Sequence, residues 1–148
     1  MLYCKKYDLS FLKTIDFTND TNIIKKLWYY NNKKYHIVKY KKEHLTVNLY
    51  DSYGLCRSII LDENKICAFS PPKSLDKDLF MNYYKANECI AEQFIEGTMI
   101  NLFYDSNISK WEISTKSSVG GNIKFFKNQP LFSELFKDVC EHLGLNVE

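Results

Sequence analysis

Arginine is almost missing from this chain. Of 20 basic residues among 148, 19 are lysine, and Arg57 stands alone. Glycine and proline are also scarce, at five and three, so there is no flexible linker and no collagen-like or low-complexity stretch. No apolar run approaches the ~20 residues of a membrane-spanning helix. The opening residues, Met1 to Lys6, have no uninterrupted apolar core of a signal peptide. The five cysteines (Cys4, Cys56, Cys67, Cys89 and Cys140) contain no Cys-x-x-Cys pair for zinc or thiol chemistry. Their odd number and apolar settings read as reduced, buried thiols, hence a reducing, cytoplasmic compartment. There is no Gly-x-x-x-x-Gly-Lys loop and no Gly-x-Gly-x-x-Gly turn. With a net charge of +2, nothing global argues for wholesale coating of nucleic acid.

What is present suits one folded domain. Hydrophobic residues make up 45% of the chain, enough for a core at this length. The wealth of Lys, Asn, Ile and Tyr matches an AT-rich coding sequence, so lysine number carries little meaning. A single arginine against that bias points to a position that needs guanidinium geometry.

The pattern predicts an α+β domain of antiparallel hairpins with packed helices. Residues 22–30 read as a short helix with Ile23, Ile24, Leu27 and Trp28 on one side, followed by a turn at 31–34. Residues 35–40 read as a strand. Residues 55–61 and 65–69 read as a hairpin about Asp62-Glu63-Asn64, with Arg57 near the start of its first strand. Ser74 is expected to cap a helix over 75–84, with Leu75, Leu79, Phe80 and Tyr83 as its stripe. Residues 89–95 read as a strand ending at Gly97. Residues 98–104 and 111–115 form a second hairpin, with Ile100, Leu102 and Tyr104 on one face and Trp111, Ile113 and Thr115 on the partner's; Trp111 reads as core. Pro130 opens a helix whose stripe runs from Leu131 to Leu143, and Gly144 ends it.

Three segments carry candidate chemistry. In Gly54-Leu55-Cys56-Arg57-Ser58, the guanidinium either pairs with a buried carboxylate or grips a phosphate. In Ser70-Pro71-Pro72-Lys73-Ser74, a stiff loop presents Lys73 either to a phosphate or to solvent. In Phe94-Ile95-Glu96-Gly97-Thr98, the glycine lets backbone approach a ligand. Glu96 there either accepts from a ribose hydroxyl or is an ordinary strand-end residue. Lys39, Lys41 and Lys42 beside Tyr40 read as a solvated strand edge or a small RNA contact. His36, His44 and His142 have no acidic partners at ligand spacing and read as exposed or packed residues rather than a metal set.

Taken in order, these segments and Thr115-Lys116-Ser117 resemble the adenylyltransferase half of the T-even-phage-type RNA ligase 1 family. The likeness covers about residues 35–125. It is strongest toward RNA-ligase-like proteins of large DNA viruses, which share the run Glu-Gly-Thr-Met-Ile-Asn found at 96–101. The resemblance implies a nucleotidyltransferase core in which residues 1–34 are an N-terminal extension and 130–144 a helix. Residues 1–148 would be the N-terminal portion of that domain. It also implies ATP and Mg²⁺ as cofactors, nucleotide and RNA ends as partners, a role in RNA repair and, if viral, the host cytoplasm. Arg57, Lys73, Glu96, Gly97 and Lys116 match the family's nucleotide and phosphate contacts, with Ser58 where the family has glycine. The family's nucleophile begins Lys-x-Asp-Gly, and here Phe94 occupies that place. A phenyl ring cannot attack phosphorus. Lys73 or Lys39 would have to substitute, and the family's later acidic and Lys-x-Lys strands have no counterpart before Glu148. The expectation is therefore a ligase-like domain that binds ATP or an RNA 5′-phosphate end and is catalytically inactive by the usual route. The alternatives are a non-catalytic binding module and a structural protein on the same scaffold. No protein partner can be deduced.

Overall fold

The computed structural model describes residues 10–63, 65–93 and 95–147. The observed class is α+β. Its centre is a four-stranded antiparallel sheet in the order β1-β2-β3-β4, comprising β1 (Ile23–Tyr30), β2 (Lys33–Tyr40), β3 (Ile59–Asp62) and β4 (Lys65–Phe69). A two-stranded antiparallel sheet, β5 (Asn101–Asp105) with β6 (Lys110–Ser114), stacks on it. The helices are α1 (Ser10–Thr14), α2 (Lys77–Tyr83) and α3 (Phe132–His142).

Residues 23–30 form a strand, not the expected helix. The β-branched and aromatic side chains favour a pleat, and Asn31 and Asn32, at φ 49° and 60°, make a two-residue hairpin loop onto β2. The strand escapes an alternation test because both of its faces are used. Ile23 joins one core, while Trp28 and Tyr30 join the other. Lys26 lies on the Trp28 side, its ammonium 4.7 Å from the indole centroid. Lys33 and Lys34 accordingly belong to β2 rather than to the turn.

Two cores follow from the two faces of the sheet. On one, Val38, Ile59 and Leu61 pack with Leu12 of α1 and with Leu55 and Cys56. On the other, Tyr35, Ile37 and Ile60 pack with Phe103 and Val119. The interlayer seam is polar as well as apolar. Trp28 Nε1 donates to the Val119 carbonyl at 3.0 Å, and Lys33 pairs with Asp62 at 2.9 Å and with Asp105.

The second hairpin forms, though its first strand begins at Asn101 rather than at residue 98 and its second spans Lys110–Ser114, and its faces are reversed. Phe103, Asp105, Glu112 and Ser114 face inward. Leu102, Tyr104 and Trp111 are 42%, 53% and 46% exposed, so Trp111 is not core. Tyr104 and Trp111 meet edge to face with centroids 5.5 Å apart.

Three further expectations need correction. Arg57 precedes β3 rather than lying in it, because residues 53–55 close a 3-10 turn and the strand begins only at Ile59. The cap of α2 is Asp76, whose carboxylate accepts from the Leu79 amide at 2.9 Å, and not Ser74; the helix buries none of its residues. Residues 89–93 and 95 form no strand: a 3-10 turn at Ala86–Glu88 precedes them, and Ile90 and Ile95 are exposed. The third helix and its stop agree with expectation. Glu134 accepts from the Leu131 amide at 2.7 Å. Gly144, at φ 66°, lets its own amide reach Glu141 O and that of Leu145 reach Cys140 O. Of the expected stripe only Cys140 is buried, while Leu135, Val139 and Leu143 remain exposed. Among the described cysteines, Cys56 and Cys140 are buried and Cys67 and Cys89 partly so, all as free thiols. Burial pushes the Cys56 thiol up to about 12, so it is inert as a nucleophile at neutral pH. Cys4 lies outside the described residues.

Candidate functional site

The turn after β6 supplies the frame of the site. Thr115 N–H donates to Ser118 O at 2.9 Å, their hydroxyls lie 2.9 Å apart, and Ser117 N–H donates to Thr115 Oγ1 at 3.2 Å. The loop before β3 is pinned to this turn by Ser58, whose buried hydroxyl donates to the Lys116 carbonyl at 3.1 Å. Ser58 O in turn accepts from Ser70 N–H at 2.8 Å. Residue 57 and residue 116 are thereby held side by side, though they are far apart in sequence. The serine that stands where the ligase-like pattern has glycine is the fastener.

Arg57 and Lys116 line one hollow of about 300 Å³. Gly97, Thr98 and Met99 form another part of its wall, and Thr115 and Ser117 a third. Ile123, Phe125 and Phe132 make an apolar side. The hollow thus offers two cations for phosphate and aromatic faces for a base or ribose. Gly97, at φ 151°, has no heavy atom within 4 Å of where a Cβ would stand, so its wall is open.

Lys39 joins from the sheet. It lies on the same face of β2 as Tyr35 and Ile37, and its ammonium donates to Ser117 Oγ at 2.7 Å. Burial, then the neighbouring Lys116 and Lys26 charges, lower its pKa below the ordinary lysine range.

Two of the expected contacts stand elsewhere. The Lys73 ammonium donates to the Ser74 carbonyl and sits 5.9 Å from the Tyr50 ring centroid, outside the hollow. Lys73 N–H donates to Gly54 O at 3.0 Å, and the side chain lies toward Tyr50. Glu96 is exposed and contributes nothing to the lining. Phe94 lies outside the described residues. Arg57, Gly97 and Lys116 are therefore brought together, and Lys73 and Glu96 are not among them.

Among the described residues, the lining of this hollow carries no carboxylate. Among the described residues, no three His, Cys, Asp or Glu side chains are grouped to hold a metal ion. The hollow does not fit a directly ligated Mg²⁺. Ser58, Thr98, Met99 and Ser117 lie within the sequence motifs but have no contact assigned from sequence, and nothing local marks Ile123, Phe125 and Phe132 as an apolar wall.

No protein-family model matches the chain, and no curated protein or solved structure matches it. Among the described residues, no helix is long and apolar enough to cross a membrane.

Proposed function

We propose that this chain is an RNA-ligase-like nucleotidyltransferase domain that binds ATP or an RNA 5′-phosphate end in the hollow between Arg57, Gly97 and Lys116. The observation that carries the reading is the Ser58–Lys116 hydrogen bond, which sets the only guanidinium of the chain beside a lysine at the edge of an aromatic wall. In this reading Arg57 pairs with two phosphate oxygens, Lys116 supplies a point charge, and Phe125 and Phe132 shield the base or ribose. Mg²⁺, where used, arrives on the nucleotide's own phosphates.

A binding role without group transfer is favoured over ligation by two observations. No lysine stands at position 94, and Lys73 is turned to Ser74 and Tyr50. The test is thermal denaturation with ATP, GTP or 5′-phosphorylated RNA. A ligand present at 100 times its Kd stabilises by about 2.7 kcal/mol, a rise of several degrees for a domain of this size. Arg57→Ala is expected to abolish the rise. An undiminished rise in that variant, or none in the unaltered protein, removes the reading.

A further inference from the structure

A second hollow shares no residue with the first. It measures about 510 Å³ and lies where the Asn31–Asn32 turn and the turn after Asp62 meet, lined by Lys25, Lys33, Lys34, His36, Glu63 and Asn107 among others. We infer that this hollow is a second phosphate-group site, in which the ammoniums of Lys25 and Lys34 and the Nε2–H of His36 hold the anion.

The histidine carries the argument. Its Nδ1 is shielded from solvent and has no hydrogen-bond partner. A proton there would be a buried, unsatisfied donor, which is costly. The ring therefore keeps its proton on Nε2, so that His36, which lines the hollow, carries a donor in the neutral state. Lys25 and Lys34 lie on the same face of the sheet as His36, at β-ladder positions opposite Val38 and Tyr29 respectively. Burial first, then these two charges, lower the His36 pKa. Such a concentration of like charge beside an orphaned imidazole is relieved by an oxyanion.

The acidic groups at the hollow do not cancel it. Asp62 is engaged by Lys33 at 2.9 Å and by the Asn107 amide at 2.5 Å, which leaves Glu63 as the remaining carboxylate on the lining. Lys33 is also held by Asp105, so it is spent on structure, whereas Lys25 and Lys34 make no ion pair among the described residues.

Inorganic phosphate followed by NMR of the His36 imidazole provides the test. Phosphate is expected to shift the His36 resonances saturably and to raise its titration midpoint. In a Lys25→Ala/Lys34→Ala double variant the apparent affinity should fall about tenfold or more. His36→Gln, which keeps a donor near the Nε2 position, should retain phosphate shifts at the Asn32 and Asn107 amides, whereas His36→Phe should lose them. Arg57→Ala should leave all of these unchanged, so the outcome is independent of the nucleotide reading. A single-stranded oligonucleotide without terminal phosphates, added in place of phosphate, tells backbone phosphodiester from free oxyanion. If it moves His36 at lower concentration than phosphate does, the natural source is nucleic acid; if phosphate alone moves His36, the source is a free or terminal phosphate. A His36 signal indifferent to millimolar phosphate overturns the proposal, as does one that responds equally in the double lysine variant.

Discussion

The Tyr35 hydroxyl donates to Asp105 Oδ2 at 2.6 Å, joining the middle of the four-stranded sheet to the tip of the two-stranded one. Lys33 meets the same carboxylate, and the Asn107 amide caps its other oxygen at 2.9 Å. Burial alone would raise the Asp105 carboxyl. The bonds from Lys33, Tyr35 and Asn107 outweigh it and hold the group below the usual carboxylate range. Tyr35→Phe removes one bond to a charged acceptor and should cost about 1.5–3 kcal/mol by urea denaturation. Because the folded pKa is depressed, Asp105 contributes its stability above the unfolded carboxylate value of about 4. That contribution is lost as pH falls through the lower folded value. In Asp105→Asn the acid limb of the stability profile should flatten.

Glu112 should behave in the opposite sense. It is buried beside Asn31, and burial raises its carboxyl above the ordinary glutamate value. Its charge at neutral pH therefore opposes folding. Glu112→Gln keeps an acceptor for Asn31 and drops the charge, and should stabilise by less than the ~1.4 kcal/mol equivalent to one pKa unit. The gain should vanish as pH falls and the native carboxyl protonates. A destabilised Glu112→Gln at pH 7 would contradict this.

Gly120 is the backbone position least able to accept a side chain. Its φ is 83°, and a Cβ would run into the Tyr30 ring. Its amide holds Ile113 O at 2.7 Å, within the turn that carries Lys116. Gly120→Ala should cost about 2–4 kcal/mol or prevent folding, measured as a drop in Tm. Gly97→Ala meets no neighbouring atom, but its φ of 151° strains a side-chain-bearing residue; because the strain falls on an exposed segment, the variant should fold, with weakened nucleotide stabilisation.

Lys39 should be a reactive amine at neutral pH. Burial and the Lys116 and Lys26 charges favour its neutral form. Amine-directed acylation at pH 7.5, read by peptide mass mapping, should modify it at a rate above that expected from its half-buried position, and Lys116→Ala should slow it. With α-labelled ATP or GTP and Mg²⁺, a protein–nucleotide adduct that is alkali-stable and acid-labile, as a lysine phosphoramidate is, and that is lost in Lys39→Met would restore the transfer reaction. Absence of adduct with either nucleotide would leave binding alone.

Much of this architecture was legible where local signals and tertiary partners agree. Residues 35–40, the 65–69 strand, the hairpin around Asp105-Ser106-Asn107 and the helix closed by Gly144 all carry their own turn or cap chemistry. Residues 22–30 misled because the helical spacing of Ile23, Ile24, Leu27 and Trp28 arises from a strand that serves two different cores. Residues 89–95 have the composition of a strand, but 89–93 and 95 pair with no neighbour among the described residues. The second hairpin's faces could not be assigned from alternation, since both faces carry large side chains, and Asp105 and Glu112 occupy the inner one. In the candidate site, Arg57, Gly97 and Lys116 were legible as types in order. The Ser58–Lys116 and Lys39–Ser117 bonds were not, because each joins residues brought close only by sheet stacking.

The two walls of the Arg57 hollow rest on unequal foundations. Arg57 lies between the buried Cys56 and Ser58, and Lys116 follows the buried Thr115. From residue 71 to residue 102, by contrast, not one described side chain is buried. Amide hydrogens along this arm should exchange orders of magnitude faster than those of β2 and β3, because opening it breaks almost no apolar packing. Since Gly97 belongs to the arm and Arg57 to the platform, an occupant would be gripped by one fixed jaw and one cheaply moved jaw. Its arrival should be felt first as slowed exchange at residues 97–99.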